Sequence, residues 1–153
     1  MDVFIVIALM LVVPLISIVA QLLVQHGEIA SAVALPIIAK WYVFWAVGVR
    51  LGSAGLRQII QPRYTAETIL GIKSADSLFL VRELGFANAA MGSAAIGSLW
   101  APSWVAPLAL TGAIFYGLAG INHCLHRNRN AQENLTLVSD LFAAAILVFC
   151  CFA

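Results

Sequence analysis

The chain alternates between long apolar segments and short polar ones, a pattern that indicates helices crossing a bilayer. About 20 consecutive apolar residues are needed for an α-helix to cross the ~30 Å hydrocarbon core of a membrane. Five segments have about this length, over residues 3–24, 37–60, 78–99, 104–124 and 135–152. The pattern therefore predicts an all-α integral membrane bundle of five transmembrane helices, with residues 1–153 forming a single domain.

Composition supports a membrane protein and excludes other classes. Of the 153 residues, 63% are apolar and 10% are charged, and the mean hydropathy is +1.00. A soluble domain is about 45–50% apolar and about 25% charged, because its surface faces water. The net charge of +1 leaves no basic surface for nucleic acid. The expected partners are the lipid bilayer, other membrane subunits or a second copy of the chain.

The basic residues are distributed unevenly between the two ends of the predicted helices. Lys40 falls at the end where the first helix finishes, and Arg50 lies at mid-depth. The other six basic residues lie at the end where the chain begins, namely Arg57, Arg63, Lys73, Arg82, Arg127 and Arg129. Lys and Arg are retained on the cytoplasmic side during insertion. We therefore expect a cytoplasmic N-terminus and a C-terminus outside.

Small residues form stripes along the second and third predicted helices. Gly48, Gly52 and Gly55 share one face of the second helix, and the opposite face is polar. At 100° per residue the third helix has two stripes on opposite sides. They consist of Glu83, Ala87, Ala90, Ala94 and Gly97, and of Gly85, Asn88, Gly92 and Ala95. Small side chains let helices approach closely, so we expect the third helix at the centre of the bundle.

Polar side chains inside the apolar segments are the candidate functional residues. A charge near the bilayer centre costs roughly 2.5–3.5 kcal/mol, so it needs a partner, a wet cavity or a route to the interface. At ~1.5 Å per residue, a shallow layer near the cytoplasm contains Arg57, Glu83, His123 and Asp140, and a deeper layer contains Arg50, Asn88 and Tyr116. We expect Glu83 or Asp140 to lie within ion-pair distance of Arg57 or Arg50.

Two interpretations of this polar cluster stay open. In the first, the acids neutralise the arginines, His123 caps a helix end, and Asn88 makes a hydrogen bond between helices. In the second, the same groups surround a cavity that is open to the cytoplasm and binds a ligand.

The sequence lacks the motifs of metal and cofactor chemistry. A structural zinc site needs closely spaced pairs of Cys or His ligands. Such pairs are not formed by the three Cys or the three His residues, which are Cys124, Cys150, Cys151, His26, His123 and His126. There is no Gly-rich phosphate loop. We expect no metal and no cofactor, and no catalytic residue can be assigned.

Three short segments carry a resemblance to a known family. The runs LVRELGFANAAMG, YGLAGINH and NLTLVSD resemble an uncharacterised family of small bacterial multipass membrane proteins, a domain of unknown function. The family features map onto Glu83 and Asn88, onto Tyr116, Gly117 and His123, and onto Asn134 and Asp140. The resemblance covers about half of the chain, from the second helix onward.

The resemblance has one departure and a limited implication. The family tends to have a His at the end of the second helix, where this chain has residues 58–61, QIIQ. A two-histidine site is therefore not expected. The resemblance implies a membrane location and a buried polar core, and it brings no assigned activity. We expect the location to be the bacterial cytoplasmic (inner) membrane.

Two classes of function follow. The first is a non-catalytic accessory subunit or oligomeric bundle whose polar cluster fixes the register of the helices. The second is a carrier or membrane enzyme that handles a small ligand, a lipid or protons at that cluster. An enzyme would need a nucleophile, metal or cofactor motif, and a carrier would need access from both sides, yet the outer half is almost wholly apolar. The sequence therefore favours the first class.

Overall fold

Five long helices make up the protein in a computed structural model that describes residues 3–25, 31–125 and 131–153. Helix α1 covers residues 3–24 and α2 covers residues 31–60, each with a π-helical segment, Ala8–Val12 and Val43–Leu51. A short π-helix, Tyr64–Ile69, follows α2. The remaining long helices are α3 (Asp76–Gly97), α4 (Val105–Leu125) and α5 (Ala131–Cys150), with a 3-10 turn, Pro102–Trp104, before α4.

Successive helices run in opposite directions. Between α1 and α2, Ser17 accepts a hydrogen bond from Trp45, and Met10 accepts one from Arg50. The later residue of α2 therefore contacts the earlier residue of α1, so the two helices are antiparallel. We refer to the end where α1 begins and α2 finishes as the near end, and to the opposite end as the far end. Of the described basic residues, Arg57, Arg63, Lys73 and Arg82 are nearer to the near end. Arg127 and Arg129 lie outside the described residues.

Helix α2 is the centre of the bundle. It packs against α1, α3, α4 and α5, and its middle segment contains the fully buried Val43 and Val47. Leu147 of α5 is also fully buried, and it meets Val47 at Gly112 of α4, where both side chains lie within 3 Å of the position a Cβ would occupy. The core therefore forms around the middle of α2.

Close backbone contact joins α3 to α2. A Cβ added at Gly55 would lie 2.5 Å from the amide nitrogen of Ala89 and 2.8 Å from the carbonyl oxygen of Gly85. One added at Gly92 would lie 2.5 Å from the Cα of Gly52. Only glycine permits this approach. The small-residue face predicted on α2 thus meets one of the two stripes predicted on α3.

The expected central position of α3 is wrong. Its buried residues lie on the side facing α2, whereas Glu83, Ala87 and Ala90 on the second stripe are exposed. Ala94 and Gly97 at the end of that stripe are half-buried, and Trp104 covers Gly97. A helical wheel locates small residues, but it does not show whether a neighbouring helix is present. Helix α3 therefore lies at the edge of the bundle.

Four helices in the described part of the chain are long and apolar enough to cross a membrane, over Phe4–Val24, Ala34–Ile60, Pro102–Leu125 and Glu133–Cys150. Helix α3 is long enough, since 22 residues extend about 33 Å. It is less apolar than the four because it contains Arg82, Glu83 and Asn88. The all-helical architecture is confirmed, and membrane crossing by α3 stays a prediction.

The glycine contact between α2 and α3 yields a stability prediction. We expect Gly55→Ala to lower the thermal midpoint in detergent, because its Cβ would overlap the α3 backbone and overpacking costs about 1–3 kcal/mol. Gly117→Ala is the matched control, since its Cβ would meet only Ala144 at 3.9 Å. Equal midpoints for the two variants would contradict the close contact.

Candidate functional site in the middle of the bundle

A buried ion pair joins α2 to α5. The Nη2 atom of Arg50 lies 2.6 Å from Oδ1 of Asp140, and the two side chains are 7% and 6% exposed. At this distance the contact is a charge-assisted hydrogen bond. In the described part of the chain, the other ion pair is Arg63–Glu67, which is 3.5 Å long and exposed. The Arg50–Asp140 pair is among those expected from the sequence.

The guanidinium of Arg50 has partners from three further positions. Its Nη2 also donates to the hydroxyl of Ser139 at 2.9 Å, and its Nη1 lies 3.9 Å from the sulfur of Met10. Its Cζ lies 4.7 Å from the centre of the Tyr116 ring, which is a cation–π contact. Side chains from α1, α4 and α5 therefore surround the positive charge that α2 contributes.

The π-helical segment of α2 brings two groups of the site together. It contains Arg50 and also Ala46, whose carbonyl oxygen accepts a hydrogen bond from the Tyr116 hydroxyl at 2.6 Å. The Tyr116 ring is 3% exposed, so its hydroxyl needs a partner inside the protein. Tyr116 consequently links α4 to α2 through two contacts. Its ring packs against the Arg50 guanidinium, and its hydroxyl donates to the carbonyl of Ala46, about one turn earlier in α2.

The predicted cluster divides into separate groups. Arg50, Tyr116 and Asp140 meet as described, and His123 is close enough to Asp140 to interact with it electrostatically. Asn88 lies elsewhere, between α2 and α3, where its Nδ2 donates to Oε1 of Gln58 at 2.8 Å. This is the hydrogen bond between helices that the first interpretation of the polar cluster expected for Asn88.

Arg57 and Glu83 do not join the central group. Both side chains are exposed, and Arg57 lies over the Tyr64 ring at 5.0 Å rather than beside a carboxylate. The sequence gives the depth of a residue along its helix, but these two side chains point away from the core at that depth. Their placement in one shared polar cluster was therefore wrong.

Sequence reasoning missed two contributors to the site. Ser139 directly precedes Asp140, and its hydroxyl both accepts from Arg50 and donates to the carbonyl of Thr136. Met10 lies on the buried side of α1, where Val6, Met10, Pro14 and Ile18 recur every four residues. That periodicity was the available signal for Met10.

The cluster is almost saturated by its own hydrogen bonds. Among the described residues, the buried side-chain nitrogen and oxygen atoms all have a partner except Oδ1 of Asn88. That atom lies outside the Arg50–Asp140 group. No set of three or more His, Cys, Asp or Glu side chains in the described ranges comes together as a metal site. The central group can hold helices in register and exclude water from the charges.

A cavity of about 560 Å³ lies at the far end, away from this group. Its lining includes Gln21, Lys40, Ser98 and Val105. Oε1 of Gln21 accepts hydrogen bonds from Nζ of Lys40 at 3.2 Å and from Nε1 of Trp41 at 2.7 Å. The expectation that the outer half is almost wholly apolar was thus incomplete.

The fold and site define an all-helical bundle with a buried ion pair at its centre. The chain belongs to DUF6790, a family of unknown function whose model matches residues 4–153. The match extends into α1, so it covers more of the chain than the half in which the sequence motifs lie. No curated protein and no solved structure matches the chain.

The buried pair yields a coupling prediction. We expect Asp140→Leu alone to destabilise the bundle by about 3–5 kcal/mol, because it leaves the Arg50 charge buried without its carboxylate. Adding Arg50→Met should recover part of this loss. Thermal midpoints in detergent for the two single variants and the double variant measure the coupling.

The exposed pair supplies the control for this experiment. Glu67→Gln removes a carboxylate from Arg63, and we expect a loss below about 1 kcal/mol because exposed pairs are weak. Strictly additive effects of the Arg50 and Asp140 substitutions would contradict a structural pair.

Proposed function

We propose that the protein is a multipass membrane protein of the bacterial cytoplasmic membrane with five crossings, a cytoplasmic N-terminus and an external C-terminus. Four apolar helices and the length of α3 support this topology. Arg57, Arg63 and Lys73 lie toward the near end, and by the positive-inside rule this supports a cytoplasmic location for that end. Lys40 lies toward the far end.

We further propose that the protein acts without catalysis, as an accessory subunit or an oligomeric bundle. The observation that carries this proposal is the saturation of the central group, in which Arg50, Asp140 and Tyr116 use one another and the backbone as partners. A site built for a substrate presents groups toward a cavity. Here the charges are enclosed by four helices, which suits a structural role.

A second candidate function is the binding of a small ligand or lipid, and the far-end cavity favours it. Small-molecule sites enclose about 300–1,000 Å³ and combine apolar walls with a few polar groups. The cavity of about 560 Å³ has this character, with Lys40 as its cation. This candidate differs from the sequence-based alternative because it does not use the Arg50–Asp140 group.

The topology proposal predicts where the C-terminus lies. With five crossings, a reporter fused after Ala153 should be active only outside the cytoplasm, while one fused before Met1 should be active inside. With four crossings, in which α3 stays at the surface, both termini would be on the same side. A cytoplasmic C-terminal reporter would therefore refute the five-crossing proposal.

The subunit proposal predicts an assembly in native membranes. A tagged chain extracted in mild detergent should elute at a mass above that of one 16.4 kDa chain after correction for detergent, together with a second copy or another membrane protein. Cross-linking before extraction controls for loss of subunits in detergent. A single chain under both conditions, with a lipid retained by the native chain and lost from Lys40→Met, would instead support the ligand-binding candidate.

A further inference from the structure

We infer that the outer face of α3 is a contact surface for a second copy of this chain, arranged as a parallel, two-fold symmetric pair in the membrane. The inference rests on the proposed assembly and on the proposed crossing of the membrane by α3, and it names the partner and the surface. The inner face of α3 is already occupied by α2 through Gly85 and Gly92. On the opposite face, Trp104 of the same chain covers Gly97, and the residues nearer the start of α3, from Phe79 to Ser93, are exposed.

The outer face has the spacing of a helix-pairing seam. The seam consists of Phe79, Glu83, Phe86, Ala90, Ser93 and Gly97, which follow one another at alternating intervals of four and three residues. This 3.5-residue repeat keeps one face toward a partner when two helices cross at about 20°. Phe79 and Phe86 are 66% and 56% exposed, and Glu83, Ala90 and Ser93 are exposed as well. Five of the six positions are therefore available for contact.

Charge complementarity identifies the partner as a second copy. Arg82 and Glu83 are both exposed in the apolar part of α3, and neither forms an ion pair within the described chain. They cannot pair with each other because adjacent helix residues point in different directions. A two-fold axis along the membrane normal brings Arg82 of one copy to within about 1.5 Å of the depth of Glu83 of the other. Because Glu83 lies on the seam, the two Glu83 carboxylates approach each other across the axis, and the Arg82 guanidinium that flanks the seam on each copy neutralises the Glu83 of the other.

The shape of the seam agrees with a parallel pair. Its far-end half has the small exposed residues Ala90 and Ser93, which permit close approach of two backbones, while Gly97 at the end of the seam is covered by Trp104. Its near-end half has Phe79 and Phe86, which fill a wider gap. In a parallel pair each seam residue faces the same residue of the partner copy, so the distance between the two helices increases evenly toward the near end. The exposed charges lie in that wider half, where there is room for both side chains.

Cysteine cross-linking tests the surface without disturbing the fold. Ser93→Cys replaces an exposed residue with one of similar size, and oxidation in native membranes should link two copies into a product of twice the chain mass. Leu110→Cys on α4 is the control, since this residue is 54% exposed and about as far from the far end as Ser93. The unmodified chain measures the background from its native cysteines. Cross-linking of Leu110→Cys but not of Ser93→Cys would overturn the proposed surface.

Charge reversal tests the orientation of the pair. We expect Arg82→Glu and Glu83→Arg each to raise the dissociation constant for two copies in lipid vesicles at least tenfold, because each places like charges together. The double variant exchanges the two charges and should return to within about threefold of the native value. Arg57→Glu is the control, since Arg57 is exposed on α2 and outside the seam. A double variant whose dissociation constant is as high as those of the single variants would contradict the parallel pair, because Arg82 and Glu83 would then contact lipid or a different protein.

The outcomes also separate this inference from the proposed function. An assembly that persists in every charge variant, without Ser93→Cys cross-linking, would refute the α3 surface while leaving the subunit proposal intact. Failure of any assembly to form, including by the native chain, would refute both.

Discussion

A guanidinium held among apolar helices dictates much of this structure. Arg50 cannot lose its charge, and its position in the middle of α2 keeps it away from either end of the bundle. Its charge must therefore be balanced inside, and Asp140 supplies the carboxylate at 2.6 Å. Satisfying this one group draws α1, α4 and α5 around α2. Val43, Val47 and Leu147 are fully buried in the apolar core around the middle of α2.

The two sides of α2 are organised by different physical interactions. On one side, hydrogen bonds and a cation–π contact from Arg50 and Ala46 hold the neighbouring helices. On the other, the α2 and α3 backbones approach so closely that a methyl group would not fit at Gly55 of α2 or at Gly92 of α3. The first side specifies which side chains meet, because hydrogen bonds are directional. The second side specifies the distance between the α2 and α3 backbones, because glycine has no side chain to hold them apart.

Features that depend only on the order and spacing of residues along the chain could be predicted from the sequence. Features that depend on how neighbouring helices pack could not. Five helical segments follow from apolar length, and the need of Arg50 for an acid follows from its depth. The glycine face of α2 follows from spacing. Which acid pairs with Arg50, however, depends on how α5 is rotated about its axis. The same limitation explains Arg57 and Glu83, whose side chains point away from the core, a direction that their positions along the helices do not reveal.

Helix α3 shows how this limitation bears on function. Its two small-residue faces look alike on a wheel, yet one is buried against α2 and the other is exposed at Glu83, Ala87 and Ala90. A helix with one close neighbour gains nothing from small residues on its second face. If α3 crosses the membrane, as proposed, the exposed charges of Glu83 on that face and of Arg82 beside it would incur a cost in lipid. Both features become favourable if a second bundle covers that face. The same helix would then contact α2 within one chain and a second copy of the chain in the plane of the membrane, in keeping with the proposal that the protein acts through assembly.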